Sequence, residues 1–129
     1  MNRHRFAILY LRIALGAAFL SAVISRLHAG STSFAHFIQY TAQVNSFLPA
    51  TLAPVLAWAA TIAETTFGIL LIAGLWPKYV ALGSAILLAL FGTAMAISFG
   101  IKEPLDYSVF SASAGALLLG FQIPESQSA

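Results

Sequence analysis

The sequence lacks cysteine altogether, and it has few charged residues of either sign: six Lys and Arg against four Asp and Glu among 129 residues. Without cysteine, disulfides, thiol catalysis, thiolate metal sites and iron–sulfur ligation are excluded. Charged residues make up 8% of the chain, whereas soluble domains average about 25%. A water-soluble chain of this length could not bury so much apolar sequence, 60% of all residues, because small domains have too much surface for their volume. The composition therefore predicts a single-domain, polytopic protein surrounded by a lipid bilayer.

Signals for several other classes of function are missing as well. The basic residues are scattered, so no nucleic-acid partner is predicted. The chain has no glycine-rich phosphate loop, haem-type histidine pair or flavin motif, and no metal site is predicted because His28 and His36 lack a third ligand at a defined spacing. The basic start followed by an apolar stretch resembles a signal peptide. We reject that interpretation because the apolar run continues to Ile24 and is interrupted by Arg12.

Four apolar segments are long enough to cross a bilayer, which takes about 20 helical residues. Backbone groups in lipid must be hydrogen-bonded internally, so these segments are expected to be helices. The alternating pattern of a membrane β-barrel is absent. The sequence thus predicts an all-α fold, an antiparallel four-helix transmembrane bundle over residues 1–123, followed by a polar, disordered tail at 124–129. The predicted spans are 6–27, 51–76, 78–99 and 105–123.

The long connection at 28–50 has apolar residues at helical spacing, which predicts a short amphipathic helix at the membrane surface. An ordinary interfacial connector is favoured over a dedicated lid. Lys and Arg are modestly enriched on the side of the N-terminus, and cytoplasmic loops carry such an excess. The chain is therefore expected to cross the membrane several times with both termini in the cytoplasm and the connector facing outward.

Glu64 lies near the middle of the apolar run 51–76, where a carboxylate costs several kcal/mol unless it is paired, neutralised or hydrated. Two interpretations have equal weight. Glu64 is a structural group, in a fixed ion pair or as a hydrogen-bonded neutral acid that specifies helix register. Alternatively, Glu64 is a catalytic proton site, or part of a site for a substrate or a quinone head group.

Height along the helices predicts the partners of the charged residues. At about 1.5 Å per residue, Arg12 lies roughly 9 Å and Glu64 roughly 18 Å from the cytoplasmic ends of their spans. An arginine side chain covers much of that difference, so an Arg12–Glu64 interaction is predicted first. An Arg26–Asp106 pair at the outer mouth is predicted second. With His36 of the connector, Arg12, Arg26 and Asp106 are the candidate substrate-binding or quinone-binding residues.

Two segments resemble the DoxX family of small four-helix bacterial membrane proteins. LRIALGAAFLSAVISRL (11–27) resembles the family's opening helix, and ETTFGILLIAGLWPKYVAL (64–82) resembles its acidic residue, apolar run, Gly-Leu and basic turn. Family members often have Gly and Lys near the end of the first helix, where this chain has SAVISRL with Arg26. The resemblance implies a bacterial inner-membrane protein. One branch of the family is similar to a subunit of thiosulfate:quinone oxidoreductase, and others are linked to oxidative-stress complexes.

Three functions follow from these observations. The first is a quinone-interacting subunit of a membrane oxidoreductase. In it, Glu64 exchanges the proton, Arg12 or Arg26 holds a quinone oxygen or an anionic donor, and a partner redox protein carries the electrons. The second is a non-catalytic membrane module that recruits or stabilises a partner. The third is a small-molecule or proton carrier, which would act as a homo-oligomer because four short helices leave little room for alternating access.

Overall fold

The computed structural model describes residues 2–28 and 30–124, and most of them lie in helices. No strand occurs within those two ranges, which confirms the predicted all-α membrane fold. The predicted disordered tail at 124–129 lies outside the described residues apart from Pro124. The helices are α1 (Arg3–Leu27), α2 (Ser31–Val44), α3 (Ala53–Ala73, preceded by a 3-10 turn at Ala50–Leu52), α4 (Pro77–Phe99), α5 (Lys102–Asp106) and α6 (Val109–Gln122).

Three of these helices, α1, α3 and α4, are long and apolar enough to cross a membrane. Helix α6 is apolar but has only 14 residues, or roughly 21 Å, against a hydrocarbon core of about 30 Å. The predicted span 105–123 is therefore divided. Helix α5 ends at Asp106, and Ser108 adopts a left-handed conformation (φ 57°) before α6 begins at Val109.

Small residues bring α1 and α3 into backbone contact. A Cβ added to Gly16 would lie 2.9 Å from the carbonyl oxygen of Gly68, which is too close for any side chain. Arg12 lies beside Gly74 at one end of this pair of helices, and Arg26 beside Thr61 at the other, so the two helices run antiparallel. Such close packing is typical of membrane helices, because lipid gives no hydrophobic drive for their association.

Basic side chains bind the C-terminal carbonyl groups of two helices. Arg12 donates from Nε to the carbonyl of Leu71 at 3.0 Å, next to the left-handed Gly74 (φ 80°) that ends α3. Lys78 donates from Nζ to the carbonyls of Gly120 at 3.0 Å and Ile123 at 3.3 Å, at the end of α6. A cation at a helix C-terminus satisfies carbonyls that have no partner within the helix and opposes the helix dipole. Arg12 thereby joins α1 to the end of α3, and Lys78 joins the start of α4 to the end of α6.

Helix α2 occupies the predicted connector and contacts α1, α3 and α4. Its buried residues are Phe34, Thr41 and Val44, which share one face. The exposed face of α2 includes His36 and Gln39. This division into a buried face and an exposed face is what an amphipathic helix packed across a bundle requires.

Candidate site around the Arg26–Glu64 ion pair

Glu64 is buried between α1 and α3, with 5% of its surface exposed. It shares a face of α3 with buried small residues that include Ala57, Ala60 and Gly68, and this face allows α1 to come close. Arg26, in the last turn of α1, donates from Nη1 to Oε2 of Glu64. The side chains of Arg26 and Glu64 are 12% and 7% exposed, so the ion pair is largely buried inside the bundle.

The direction of helical side chains explains why Arg26 reaches Glu64. Every side chain on a helix tilts toward the N-terminus of its own helix. Because α1 and α3 are antiparallel, the side chain of Arg26 tilts toward the middle of the bundle, and that of Glu64 tilts toward Arg26. Arg12 tilts the opposite way, toward the end of α3, where it binds the carbonyls of Leu71 and Ile72. The predicted Arg12–Glu64 interaction is wrong. That prediction used the height of the residues along their helices and left out the tilt of their side chains.

Two further side chains hold the guanidinium group of Arg26. The hydroxyl of Thr61 accepts a hydrogen bond from Nη1 at 3.2 Å and donates to the carbonyl of Ala57 at 2.8 Å. The ring of Phe37, from α2, lies over the guanidinium with its centroid 3.7 Å from Cζ. A cation over an aromatic face is attracted to the ring quadrupole, more strongly where water is excluded. The site therefore unites one charged residue from α1, one aromatic residue from α2 and two polar residues from α3.

The other predicted site residues lie elsewhere. Asp106 pairs with Lys102 at 2.8 Å on the exposed surface of α5, so the predicted Arg26–Asp106 pair is also wrong. Lys102 is one helical turn from Asp106, whereas Arg26 is already engaged inside the bundle. His36 is exposed on α2, as is His28 at the end of α1. A contribution of Arg12, Asp106 or His36 to ligand binding stays a prediction.

Thr61 and Phe37 were not predicted to belong to the site. The signal for Thr61 is its position three residues before Glu64, on the same face of α3. For Phe37 the sequence offers only a place on the apolar face of α2. Its contact with Arg26 depends on how α2 crosses the bundle, which the helical pattern does not specify.

A groove of about 320 Å³ lies between α2, α3 and α4. Its lining is mostly alanine, leucine and phenylalanine, with two polar side chains, Thr41 of α2 and Asn45 directly after that helix. On α2 and on α3, the groove lies one helical turn from the ion-pair site. Thr41 follows Phe37 by four residues on α2, and Ala60 precedes Glu64 by four on α3. Mostly apolar lining with a few polar groups is typical of small-molecule sites.

Within the described ranges, no group of three or more His, Asp or Glu residues is placed to hold a metal ion. The side chains that meet at the site supply one carboxylate, one guanidinium, one hydroxyl and one aromatic ring. These groups can hold a polar ligand by charge-assisted hydrogen bonds, and the carboxylate can exchange a proton.

Long apolar helices that enclose a buried ion pair define this protein as a helical integral membrane protein. The chain belongs to the DoxX family, whose sequence model matches residues 7–102. The match begins in the second turn of α1 and continues through α4, and so includes Arg26, Phe37, Thr61 and Glu64. This result confirms the resemblance drawn from 11–27 and 64–82. A search of curated proteins and a search of solved structures each found no match.

Proposed function

We propose that the protein is a quinone-interacting subunit of a membrane oxidoreductase system, with its quinone head group beside the Arg26–Glu64 pair. The observation that carries this proposal is the short separation, one helical turn on α2 and on α3, between a buried ion pair and an apolar groove. A quinone has the matching division into a polar ring and an apolar tail. The residues fit such a ligand, because the described part of the groove lining is apolar, as the tail requires, apart from Thr41 and Asn45.

Each residue of the site has a chemical task in this proposal. Arg26 has five N–H donors, and they suit it to hold a carbonyl oxygen while it also faces Glu64. Glu64 takes or gives the proton that accompanies electron transfer. Thr61 keeps the guanidinium oriented through its hydrogen bonds to Nη1 and to the carbonyl of Ala57. The bound quinone supplies the redox chemistry, and the electrons come from a partner redox protein because the sequence shows no cysteine, haem-type histidine pair or flavin motif to carry them.

We further propose that the protein lies in a bacterial inner membrane with both termini in the cytoplasm. The start of α4 and the ends of α3 and α6 lie at one end of the bundle, with Arg12 and Lys78 among them. With Arg3 and Arg5, that end has four basic residues against Arg26 and Lys102 at the other, and this excess supports a cytoplasmic location. The Arg26–Glu64 site then lies in the outer half of the membrane.

The proposal is tested by mass spectrometry of quinones that co-purify with the protein in mild detergent. Glu64→Gln removes the charge and the proton site but preserves the shape of the side chain. Glu103→Gln, which changes a carboxylate on α5, is the matched control. We expect quinone with the wild type and the control, and its loss from a still-folded Glu64→Gln protein. Absence of quinone from the wild type, or equal amounts in all three proteins, contradicts the proposal.

A non-catalytic role is the second candidate, and one observation favours it. Within the described part of the chain, every buried side-chain nitrogen or oxygen has a hydrogen-bond partner. A fully satisfied polar cluster is what a structural element that specifies helix register would have. In that case Glu64→Gln lowers stability and leaves quinone content unchanged, and the module acts by recruiting a partner. The carrier function, which needs a homo-oligomer, has no comparable observation in its favour.

A further inference from the structure

Helix α2 is attached to the bundle differently at its two ends. At the C-terminal end, Val44 is 1% exposed and packs against Ala94 and Met95 of α4. The hydroxyl of Ser98 donates to the Val44 carbonyl and accepts from the hydroxyl of Ser46 at 3.1 Å. Buried packing and hydrogen bonds thus fix this end of α2 to α4.

The N-terminal end of α2 contacts the bundle through two aromatic rings, Phe37 and the buried Phe34. The rings of Phe34 and Trp58 have centroids 4.5 Å apart, and Phe37 covers Arg26. Gly30 precedes the helix with φ 67°, and a Cβ built there would meet no atom within 4 Å. Ring contacts can be exchanged for contacts with lipid or with an apolar ligand, because both surroundings are apolar. This end is therefore the one at which α2 can separate from the bundle.

Separation of this end would leave the charges of the site paired. Arg26 comes from α1, and its polar partners Glu64 and Thr61 both come from α3. Helix α2 contributes the Phe37 ring alone to the guanidinium. Breaking a buried ion pair is strongly unfavourable, whereas loss of an aromatic contact costs much less. The site can accordingly be uncovered without exposing an uncompensated charge to the membrane interior.

We propose that residues 31–37 of α2 form a lid over the Arg26–Glu64 pair, which pivots about the Val44–Ser98 attachment and admits a lipid-soluble ligand from the bilayer. The lid extends the proposed function by giving its site a route of entry. The identity of the ligand as a quinone rests on that proposed function. Thr41 lies between the lid and the pivot, and Asn45 directly follows the pivot. Both line the groove, so a ligand in the groove already contacts α2 through Thr41. Movement of the lid would give that ligand direct access to the ion pair.

The test uses the absence of cysteine from the chain. Phe34→Cys/Trp58→Cys, bridged by a short, reducible bis-methanethiosulfonate linker, ties the lid to α3. Ser46→Cys/Ser98→Cys, bridged in the same way, ties the pivot and is the matched control. Each bridged protein is compared with the same protein after reduction, so that the substitutions themselves cancel.

Access to Glu64 is measured with dicyclohexylcarbodiimide, a lipid-soluble reagent that modifies carboxyl groups in apolar surroundings. The labelled peptide is quantified by mass spectrometry. Bridging Phe34→Cys/Trp58→Cys is expected to lower the labelling rate of Glu64 by about tenfold or more, because the rate scales with the fraction of molecules in the open state. Bridging Ser46→Cys/Ser98→Cys should leave the labelling rate of Glu64 within about a factor of two of the reduced protein. Fixing the pivot does not change the fraction of molecules in which the lid is open.

Equal labelling of the bridged and reduced lid variant would overturn the lid proposal. Labelling is carried out at the lowest pH at which the protein stays folded, because the carbodiimide reacts with the protonated acid and not with the ion-paired carboxylate. A reduced protein in which Glu64 is still never labelled there would also overturn the proposal. Binding of a short-tailed benzoquinone and a short-tailed naphthoquinone is measured on the same samples. If the bridge at the lid slows labelling of Glu64 but neither quinone binds, the lid is supported and the quinone function is refuted. If quinone binds and the bridge at the lid does not slow its exchange, the quinone function is supported and the lid is refuted.

Discussion

Removal of the positive charge at Arg26 should destabilise the protein strongly, and removal of both charges should not. Arg26→Met leaves Glu64, whose side chain is 7% exposed, without its cation. Loss of one partner of a buried pair costs about 3–5 kcal/mol. We expect the lower end of that range, because Arg26 is in the last turn of α1 and water from the adjacent surface can reach the vacated space. Arg26→Met/Glu64→Leu should unfold with a free energy within about 1 kcal/mol of the wild type or above it, because apolar residues of similar volume replace a buried pair at little cost.

The assay is reversible unfolding in mixed micelles titrated with dodecyl sulfate, followed by the fluorescence of Trp58 and Trp76. The exposed pair of Lys102 and Asp106 provides the control, since removal of a surface ion pair changes stability by at most about 1 kcal/mol. A single variant as stable as the wild type would refute the reasoning. A double variant no more stable than Arg26→Met would also refute it, because the loss would then come from packing and not from the uncompensated carboxylate.

Three other predictions concern packing and hydrogen bonding. Gly16→Ala should cost about 1–3 kcal/mol, because its Cβ would lie 2.9 Å from the Gly68 backbone, and Gly115→Ala, with its nearest atom at 3.6 Å, should change the unfolding free energy little. Lys78→Met should cost about 0.5–2 kcal/mol in the same unfolding assay, because the last carbonyls of α6 lose a cation. Thr61→Val should lower the free energy of unfolding by about 1 kcal/mol and Thr61→Ser by much less, because serine retains the hydroxyl that accepts from the arginine of the ion pair. Equal losses of stability in the two variants would argue against that hydrogen bond.

The sequence was sufficient to predict the buried face of α3. Alanine and glycine recur around Glu64 at helical spacing, and a face of small residues in a membrane helix is expected to meet a neighbouring helix. The partner of Glu64 was not predictable from height alone. Once the tilt of side chains toward the helix N-terminus is included, antiparallel spans favour Arg26 over Arg12. That correction needs only the sequence and the predicted topology.

Other features depend on tertiary structure. Ser108 adopts a left-handed conformation that serine rarely favours, so the interruption between α5 and α6 has no local signal. The contact of Phe37 with Arg26 requires α2 to cross the bundle at one particular place. The apolar pattern of 28–50 indicates a helix and its buried face, but many positions on the membrane surface would satisfy it.

The interruption at Ser108 also determines how the protein meets its membrane. Helix α6, with 14 residues, is shorter than the α4 helix of 23 residues against which it packs. On the α6 side the hydrophobic belt is too short for a bilayer of ordinary thickness, and such mismatch is relieved by local thinning or by tilting of the helices. Lipids with shorter acyl chains should therefore gather along that side. The protein as a whole should be distributed toward thinner regions of a heterogeneous membrane.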